Sequence, residues 1–497
     1  MSDIFVRAHV AGMLVGSTGL GAFLGAATFI PWLWPAAPLT IAVLLHLIFN
    51  GSPAKAFWIG HSFGFGLMGA SFSWGFGSLP LDWLGIDNFT LGAVIVACIW
   101  WLYSIVVGSA VGVFAYIVRI YGKQWSILIF APFVWVLCEF LHSFLHFLSA
   151  WGLGSILGFD LAFGFVGYAL AWSDFLWAAR IFGVTGLSFL TAFLGTLLFL
   201  AWERRKAYSL KISAVVTGTF AGAMILGGYA LPAPLQIVYN PPVVEINGLR
   251  IIPVSTDIGP ALSRTRDELA AIERDVAGAI LKATEARPDI IVLPEYIRYF
   301  KSEYLLSSTE SLRVRQALAD SGALLIDSER ALPKDGRYGS MLFFDGESGT
   351  IVERQHKRLL IPLGEYLPYI VSFALEALGM EEVVRGVLDN RTYTPSHDSF
   401  STRIFEWKGV KLGLLACSES ISPFGYKEVS DAGADVLLNV ASHAWLRNGS
   451  WILFNQTLAM ARIHAVYTGK VYVQASNHSP SFVIVPVGAS SSSVAQD

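Results

Sequence analysis

Charge is what this chain has least of. Only 14% of its 497 residues are Asp, Glu, Lys or Arg, while 54% are hydrophobic. Soluble domains carry roughly a quarter charged residues, so a wholly soluble protein is excluded and the deficit must be concentrated somewhere. It is concentrated before about residue 231. Cysteine is nearly absent too. Cys98 and Cys138 fall within apolar runs and Cys417 stands alone in the last half, which excludes a disulfide framework there. There is no repeat of solenoid type, and no basic excess points to a nucleic-acid partner, the net charge being −3.

Long apolar stretches run approximately over 8–29, 34–50, 54–78, 90–118, 124–147, 175–201 and 212–231. Each is near the roughly 20 residues a helix needs to cross the hydrocarbon, so seven spans are predicted. The stretch 148–174 is apolar but broken by Gly152, Gly154, Gly158, Asp160, Gly164 and Gly167. It reads as a re-entrant or interfacial segment buried against the bundle, since irregular backbone survives at membrane depth only inside protein. Arg7, Lys55, Arg119 with Lys123, and Arg204, Arg205, Lys206 with Lys211 fall on alternate connections, and the others hold almost none. The N-terminus is therefore expected in the cytoplasm, and an odd number of spans delivers the rest of the chain to the opposite side, the periplasm of a bacterium. The first span has no A-x-A-like site after a short core and reads as an anchor.

After residue 231 the composition becomes ordinary and the rhythm changes to α/β. Strands are expected at 249–254, 289–293, 323–326, 341–344, 411–415, 434–439 and 470–474, and helices at 262–286 and 450–468. The boundaries expected are a transmembrane helical domain over 1–231, a catalytic domain over 232–488, and a disordered Ser-rich tail over 489–497.

Three residues in this half have chemistry to offer. Cys417 closes the apolar run Val410-Lys-Leu-Gly-Leu-Leu-Ala416 and opens a polar break. A strand end running into a helix start supplies backbone N–H groups and a dipole that favour a thiolate. Glu295 follows Ile290-Ile-Val-Leu-Pro294, and Lys357 follows the strand-like 349–355. A carboxylate, an ammonium and a thiol at the ends of separate strands are the set that acyl chemistry on amides requires. Taken singly each has a plainer reading: Cys417 as a small buried hydrophobe, Glu295 as a solvated strand end, Lys357 as part of a solvated basic face.

Together, Leu293-Pro-Glu295, His356-Lys-Arg358 with Pro362-Leu-Gly-Glu-Tyr366, and Cys417-Ser-Glu419, in that order after a multi-span half, resemble the apolipoprotein N-acyltransferase family of the nitrilase superfamily. Ala131-Pro-Phe-Val-Trp-Val-Leu-Cys-Glu139 and Phe182-Gly-Val-Thr-Gly-Leu-Ser-Phe-Leu190 resemble its span motifs. The resemblance implies a membrane α-helical bundle followed by a nitrilase-like α-β-β-α sandwich. It implies a Glu295-Lys357-Cys417 triad, with Glu365, Glu419, Tyr366 and Ser418 in supporting or substrate-binding roles and no cofactor or metal. It further implies a phospholipid acyl donor such as phosphatidylethanolamine, a Cys417 thioester, and the N-terminal amine of a diacylglyceryl-cysteine lipoprotein as acceptor. The setting implied is the bacterial inner membrane, and the form a monomer.

Departures from the family pattern cluster on the acceptor side. Ser418 stands where an aromatic residue is usual, Ser442-His-Ala-Trp-Leu446 replaces an Asn-Asp-Ala-Trp-Phe pattern, and Asn477-His-Ser479 replaces Asn-Asn-Gly. The loop 255–260 lacks Gln-Gly-Asn, and no apolar span follows Val487. Two alternatives to the acyltransferase follow, a membrane-tethered amidase and a lipid-binding paralogue without turnover. Two rival constellations also stand. Glu139, His142 and His146 share one helical face, suited either to a metal or to structural hydrogen bonds. His443, His464 or His478 offers a Cys-His pair with Cys417.

Overall fold

The structure is a computed structural model that describes residues 2–122, 126–203, 218, 222, 235–260, 264–299, 309–333, 336–446, 450–488 and 492–494. Its first half is helical: α1 Ser2–Ala27, α2 Ala36–Phe49, α3 Pro53–Ser71, α4 Phe89–Tyr121, α5 Ile127–Ser149 and α6 Ala179–Glu203. These six helices overlie six of the seven expected spans, and the seventh, 212–231, lies outside the described residues save for 218 and 222. Among the described residues, three regions, Phe89–Tyr121, Ile127–Ser149 and Asp174–Glu203, are by length and composition long and apolar enough to cross a membrane. The helices α1, α3 and α4 meet through small residues. A Cβ on Gly64 would stand 2.1 Å from the Gly108 carbonyl oxygen, so α3 and α4 cross in backbone contact that only glycine permits.

Between α5 and α6 the chain is irregular, with 3-10 turns at Val166–Trp172 and Asp174–Ala178. Ala162, Phe165, Val166, Ala169, Leu170 and Ala171 are fully buried there, as expected of a segment folded against the bundle.

The second half is a four-layer sandwich. One sheet runs in the order β14 (Ser492–Val494), β2 (Val244–Ile246), β3 (Leu249–Pro253), β5 (Ile290–Val292), β6 (Leu324–Ala331), β7 (Tyr338–Asp345) and β8 (Thr350–His356). The other runs β1 (Leu235–Tyr239), β13 (Phe482–Pro486), β12 (Val471–Asn477), β11 (Val436–Ser442), β10 (Val410–Ala416) and β9 (Ile404–Trp407), with β4 (Ser255–Thr256) beside β12. Their inner faces meet in one apolar core, where Ile251, Ile290 and Ile326 pack with Leu412, Leu438 and Val473. Helices α7 (Arg266–Glu285) and α8 (Thr309–Ser321) cover the outer face of the first sheet. The outer face of the second is covered by α11 (Gly425–Asp431) and α12 (Ser450–Thr468), the chain having passed α9 (Tyr369–Ala377) and α10 (Glu381–Arg391) on the way. Thr265 begins α7 with a capping box, accepting the Glu268 N–H while the Glu268 carboxylate accepts its own.

The seven expected strands and the two helices are present. The tail departs from expectation: Ser492–Val494 pairs antiparallel with β2, because β2 is a sheet edge with free backbone groups. Sheet two docks on the membrane half through α12, whose Ala459, Met460 and Ile463 share an apolar cluster with Phe165, Leu170 and Leu187. Gly183, with φ of +59°, kinks α6 against α12, and a Cβ there would lie 3.0 Å from the Tyr467 ring.

Candidate active site

Glu295 and Cys417 follow strands that are buried, apolar runs, whereas Lys357 follows an edge strand that is largely exposed. β5 delivers Glu295 two residues after Leu293, whose N–H still pairs with the Ile326 carbonyl at 2.9 Å. β8 delivers Lys357, whose N–H extends the ladder to the Gly339 carbonyl at 2.7 Å. β10, flanked by β11 and β9, ends at Cys417.

The three arrive together. Lys357 Nζ donates to Glu295 Oε1 at 2.8 Å and lies 2.9 Å from Glu365 Oε2 and 3.0 Å from Oε1. The Lys357 side chain is 1% exposed, that of Glu295 5% and that of Glu365 3%. Cys417 lies close enough to Glu295 and to the Ser442 backbone N–H for both to bear on its thiol. Burial raises the Glu295 carboxyl above the usual range, with Lys357 pulling it down and Glu365 pushing it up again. Burial alone would lower the Lys357 ammonium, but the two carboxylates beside it outweigh that and hold it well above the usual lysine range.

One sequence expectation is corrected. The turn at Cys417–Ile421 is five residues of 3-10 helix, too short for the dipole support expected of a helix start. Burial, and then the negative charge of Glu295, push the Cys417 thiol up, with Lys357 and the Ser442 N–H opposing them. The resting group is a thiol beside a carboxylate, not a standing thiolate. Cys417 also has φ of +43°, a left-handed backbone conformation unusual outside glycine. Strain of this kind at a strand-to-turn junction aims a side chain out of the sheet.

Glu419 sits behind Cys417. Its carboxylate accepts the Ala416 N–H at 2.7 Å and the Arg358 N–H at 2.6 Å, tying the Cys417 turn to the Lys357 loop, with Arg403 3.7 Å away. Ser418 donates its hydroxyl to the Leu359 carbonyl and ties the same two segments. Tyr366 lies elsewhere. Its hydroxyl donates to the Ala150 carbonyl at 2.8 Å, beside the Tyr369 N–H to Trp151 carbonyl bond, also 2.8 Å, where the sandwich meets the membrane half. Tyr296 and Arg403 escaped sequence reasoning. Tyr296 donates to Glu365 Oε1 at 3.2 Å, and its only sequence signal is adjacency to Glu295.

Several members of the rival constellations make other contacts. Glu139 Oε1 accepts Trp135 Nε1 at 3.1 Å and the Val166 N–H at 2.9 Å, so this carboxylate pins the re-entrant segment to α5, and His146 pairs with the Tyr103 hydroxyl. His464 Nε2 bonds the Ser420 carbonyl at 2.8 Å, and His478 pairs with Asp257 at 2.5 Å.

Above Cys417 opens a cavity of about 540 Å³. Its lining brings together Cys417, Glu295 and His443 from the sandwich with Trp74, Ile99 and Trp100 from the membrane half. Cys417 is partly exposed, toward this cavity. An apolar chamber with a thiol and a carboxylate in its lining suits a long acyl group.

The chain is similar to two families in tandem. Residues 21–197 match the apolipoprotein N-acyltransferase N-terminal domain, and 261–491 match carbon-nitrogen hydrolase. It is 26% identical to the apolipoprotein N-acyltransferase of Brucella melitensis biotype 1, over 84% of this chain and 77% of that one. With that of Gloeobacter violaceus the identity is 26% over 97% and 85%, and with that of Vibrio parahaemolyticus 24% over 92% and 84%.

Proposed function

This chain belongs to the apolipoprotein N-acyltransferase family of the nitrilase superfamily, and from that premise we propose that it moves a fatty acyl chain from a phospholipid, through a thioester on Cys417, to the N-terminal amine of a diacylglyceryl-cysteine lipoprotein. The observation that carries the reading is Lys357 held at 2.8 Å from Glu295 and 2.9 Å from Glu365 beside Cys417, at the end of the cavity that the membrane half walls.

The steps follow from the positions. Glu295 takes the thiol proton as sulfur attacks the ester carbonyl, and its raised pKa makes it a competent acceptor. The developing oxyanion is met by Lys357 Nζ and the Ser418 backbone N–H, charges and dipoles fixed before the reaction. The S–C bond forms, the ester C–O bond breaks, and Glu295 returns its proton to the lysophospholipid oxygen. The amine then attacks the thioester and regenerates the thiol, a ping-pong cycle.

Phosphatidylethanolamine is the proposed donor. The proposed setting is the inner membrane, with the N-terminus cytoplasmic and residues 232–488 periplasmic, supported by the lysine and arginine asymmetry of the loops. A single chain holds all the groups named, which supports a monomer. Intact-protein mass spectrometry of the detergent-solubilised chain with phosphatidylethanolamine tests it. An acyl-sized adduct on the wild type, absent from Cys417→Ser and removed by hydroxylamine, is expected; a folded wild type that takes no adduct overturns it.

A further inference from the structure

Two guanidinium groups, those of Arg264 and Arg298, belong to residues lining the cavity that holds Cys417, and the acyl-enzyme steps use neither. The carboxylates of the same lining, Glu295 and Glu365, are both engaged by Lys357. Arg264 donates to the Gly259 carbonyl. Arg298 has neutral partners: its Nη2 donates to the Tyr393 hydroxyl at 2.9 Å, and its Cζ lies 4.8 Å from the centroid of the Tyr296 ring. Among the described residues no carboxylate pairs with it. A short chain of contacts leads from this guanidinium to the reactive cluster. Tyr296, itself in the lining and 40% exposed, donates to Glu365 Oε1 at 3.2 Å, and that atom is 3.0 Å from Lys357 Nζ. The Tyr393 N–H donates to the Glu365 carbonyl at 2.8 Å. Both ends of the arginine's seat are thus fastened to the residue that holds the lysine.

More positive charge stands behind it. Arg330 lies over the other phenol, 5.7 Å from the centroid of Tyr393, and Arg337 is tied to the same loop by the Thr394 N–H to Arg337 carbonyl bond of 2.6 Å. Burial, and then Arg337 and Arg298, lower the Arg330 guanidinium against the opposing pull of Tyr393. Like charges gathered at one end of a mostly apolar chamber repel one another until an anion joins them. A phospholipid brings one, because its phosphodiester sits a glycerol backbone away from the ester that Cys417 attacks, and a guanidinium fork matches phosphate oxygens in pairs. The acceptor brings none at its reacting end, where the free α-amine is a cation that this charge disfavours. We propose that Arg298 binds the phosphate of the acyl donor, with Arg264 as the second cation of the lining, and so seats the phospholipid with its ester toward Cys417. This deepens the acyl-enzyme reading above and rests on it.

The test compares two donors with the same acyl chains, phosphatidylethanolamine and the phosphate-free diacylglycerol, on the full-length wild type, R298M and R298K in detergent. Thioester formation is followed by mass spectrometry. Wild type is expected to load from phosphatidylethanolamine with the higher kcat/KM, and R298M to lower that preference by roughly ten- to a hundredfold, chiefly through KM, the loss of a charge-assisted contact. R298K, which keeps the charge without the fork, is expected to restore part of it. Glycerophosphoethanolamine is expected to inhibit loading of the wild type and to spare R298M. Equal or stronger inhibition by inorganic phosphate at the same ionic strength assigns the site to free phosphate and overturns the proposal. A preference unchanged in R298M overturns it, as does a loss shared equally by both donors, or normal loading with failed acylation of a diacylglyceryl-cysteine peptide, which gives Arg298 to the acceptor. A wild type that forms no thioester from phosphatidylethanolamine overturns the donor reading itself and this inference with it, so the two failures are distinguishable.

Discussion

Two buried carboxylate clusters stand in this molecule, one in each half, and they are used differently. In the sandwich, Glu295 and Glu365 flank one ammonium, a counter-charge that Glu139 lacks, although Glu365 also accepts the Ile361 N–H at 2.8 Å. In the helical half, Glu139 faces an indole N–H and a backbone N–H, groups that only donate. A charge held by a counter-charge beside a nucleophile is poised for chemistry, whereas one held by fixed donors is a fastener. Sequence spacing alone does not separate them, since both present acidic residues near a basic or imidazole group.

The largest test of that contrast is Lys357→Met. It leaves two carboxylates together in a dry site and removes the cation proposed to meet the oxyanion. Thioester formation is expected to fall by roughly 10²–10⁴-fold, and stability by about 3–5 kcal/mol. Adding Glu365→Gln removes one of the stranded charges and is expected to return part of the stability without returning activity. Burst kinetics and thermal melts read the two separately. If the double variant regained activity, Lys357 would be a charge balancer and not a participant.

Acid sharpens the contrast from another side. His443 and His464 are both lowered to about 4, chiefly by burial. A histidine whose folded pKa lies below its unfolded value near 6.5 contributes stability that is complete above 6.5 and lost as pH falls toward 4, because the unfolded chain binds the proton first. At pH 5 each is expected to have given up roughly 2 kcal/mol relative to pH 7. Melts of the wild type across pH 7 to 5 should therefore fall steeply, and His464→Gln should flatten the curve; parallel curves would refute the burial argument.

How far the molecule is legible in its sequence follows the same division. β5, β10, β11 and β12 are largely apolar and almost wholly buried, so their positions, and those of Glu295 and Cys417 at two of their ends, can be read directly. β8 is largely exposed at an edge and is readable only through its Thr-Ile-Val content. β9, β1 and β14 are four, five and three residues long and take their structure from a partner strand, a long-range fact no local window contains. The thiol's burial and the Glu419 brace between the Cys417 and Lys357 segments are invisible for the same reason. The resemblance supplies which residues matter; geometry supplies why Tyr366 is a docking contact and Ser418 a tie.

Glu139 offers the test in the other half. Glu139→Ala strips an acceptor from the Trp135 and Val166 N–H groups and is expected to cost about 1–3 kcal/mol in detergent stability. Glu139→Gln keeps a carbonyl oxygen and is expected to cost less, with thioester formation within a few-fold of wild type. A loss of chemistry in Glu139→Gln comparable to that of Lys357→Met would erase the distinction between the clusters.

The smallest effect is expected where the halves touch. Tyr366→Phe removes one hydroxyl bonded to the Ala150 carbonyl, but Gly152 still bridges Pro368 and the Tyr369 N–H still reaches the Trp151 carbonyl. A single net hydrogen bond is worth about 0.5–1.5 kcal/mol, and its neighbours hold the junction closed. The melting point should therefore drop slightly, while amide exchange at residues 150–152 and 366–369 accelerates and exchange at β10 does not. If β10 exchange rose as well, the junction would be communicating with the strand that presents Cys417, and the two halves would be one cooperative unit instead of a membrane scaffold carrying a separately stable catalytic sandwich.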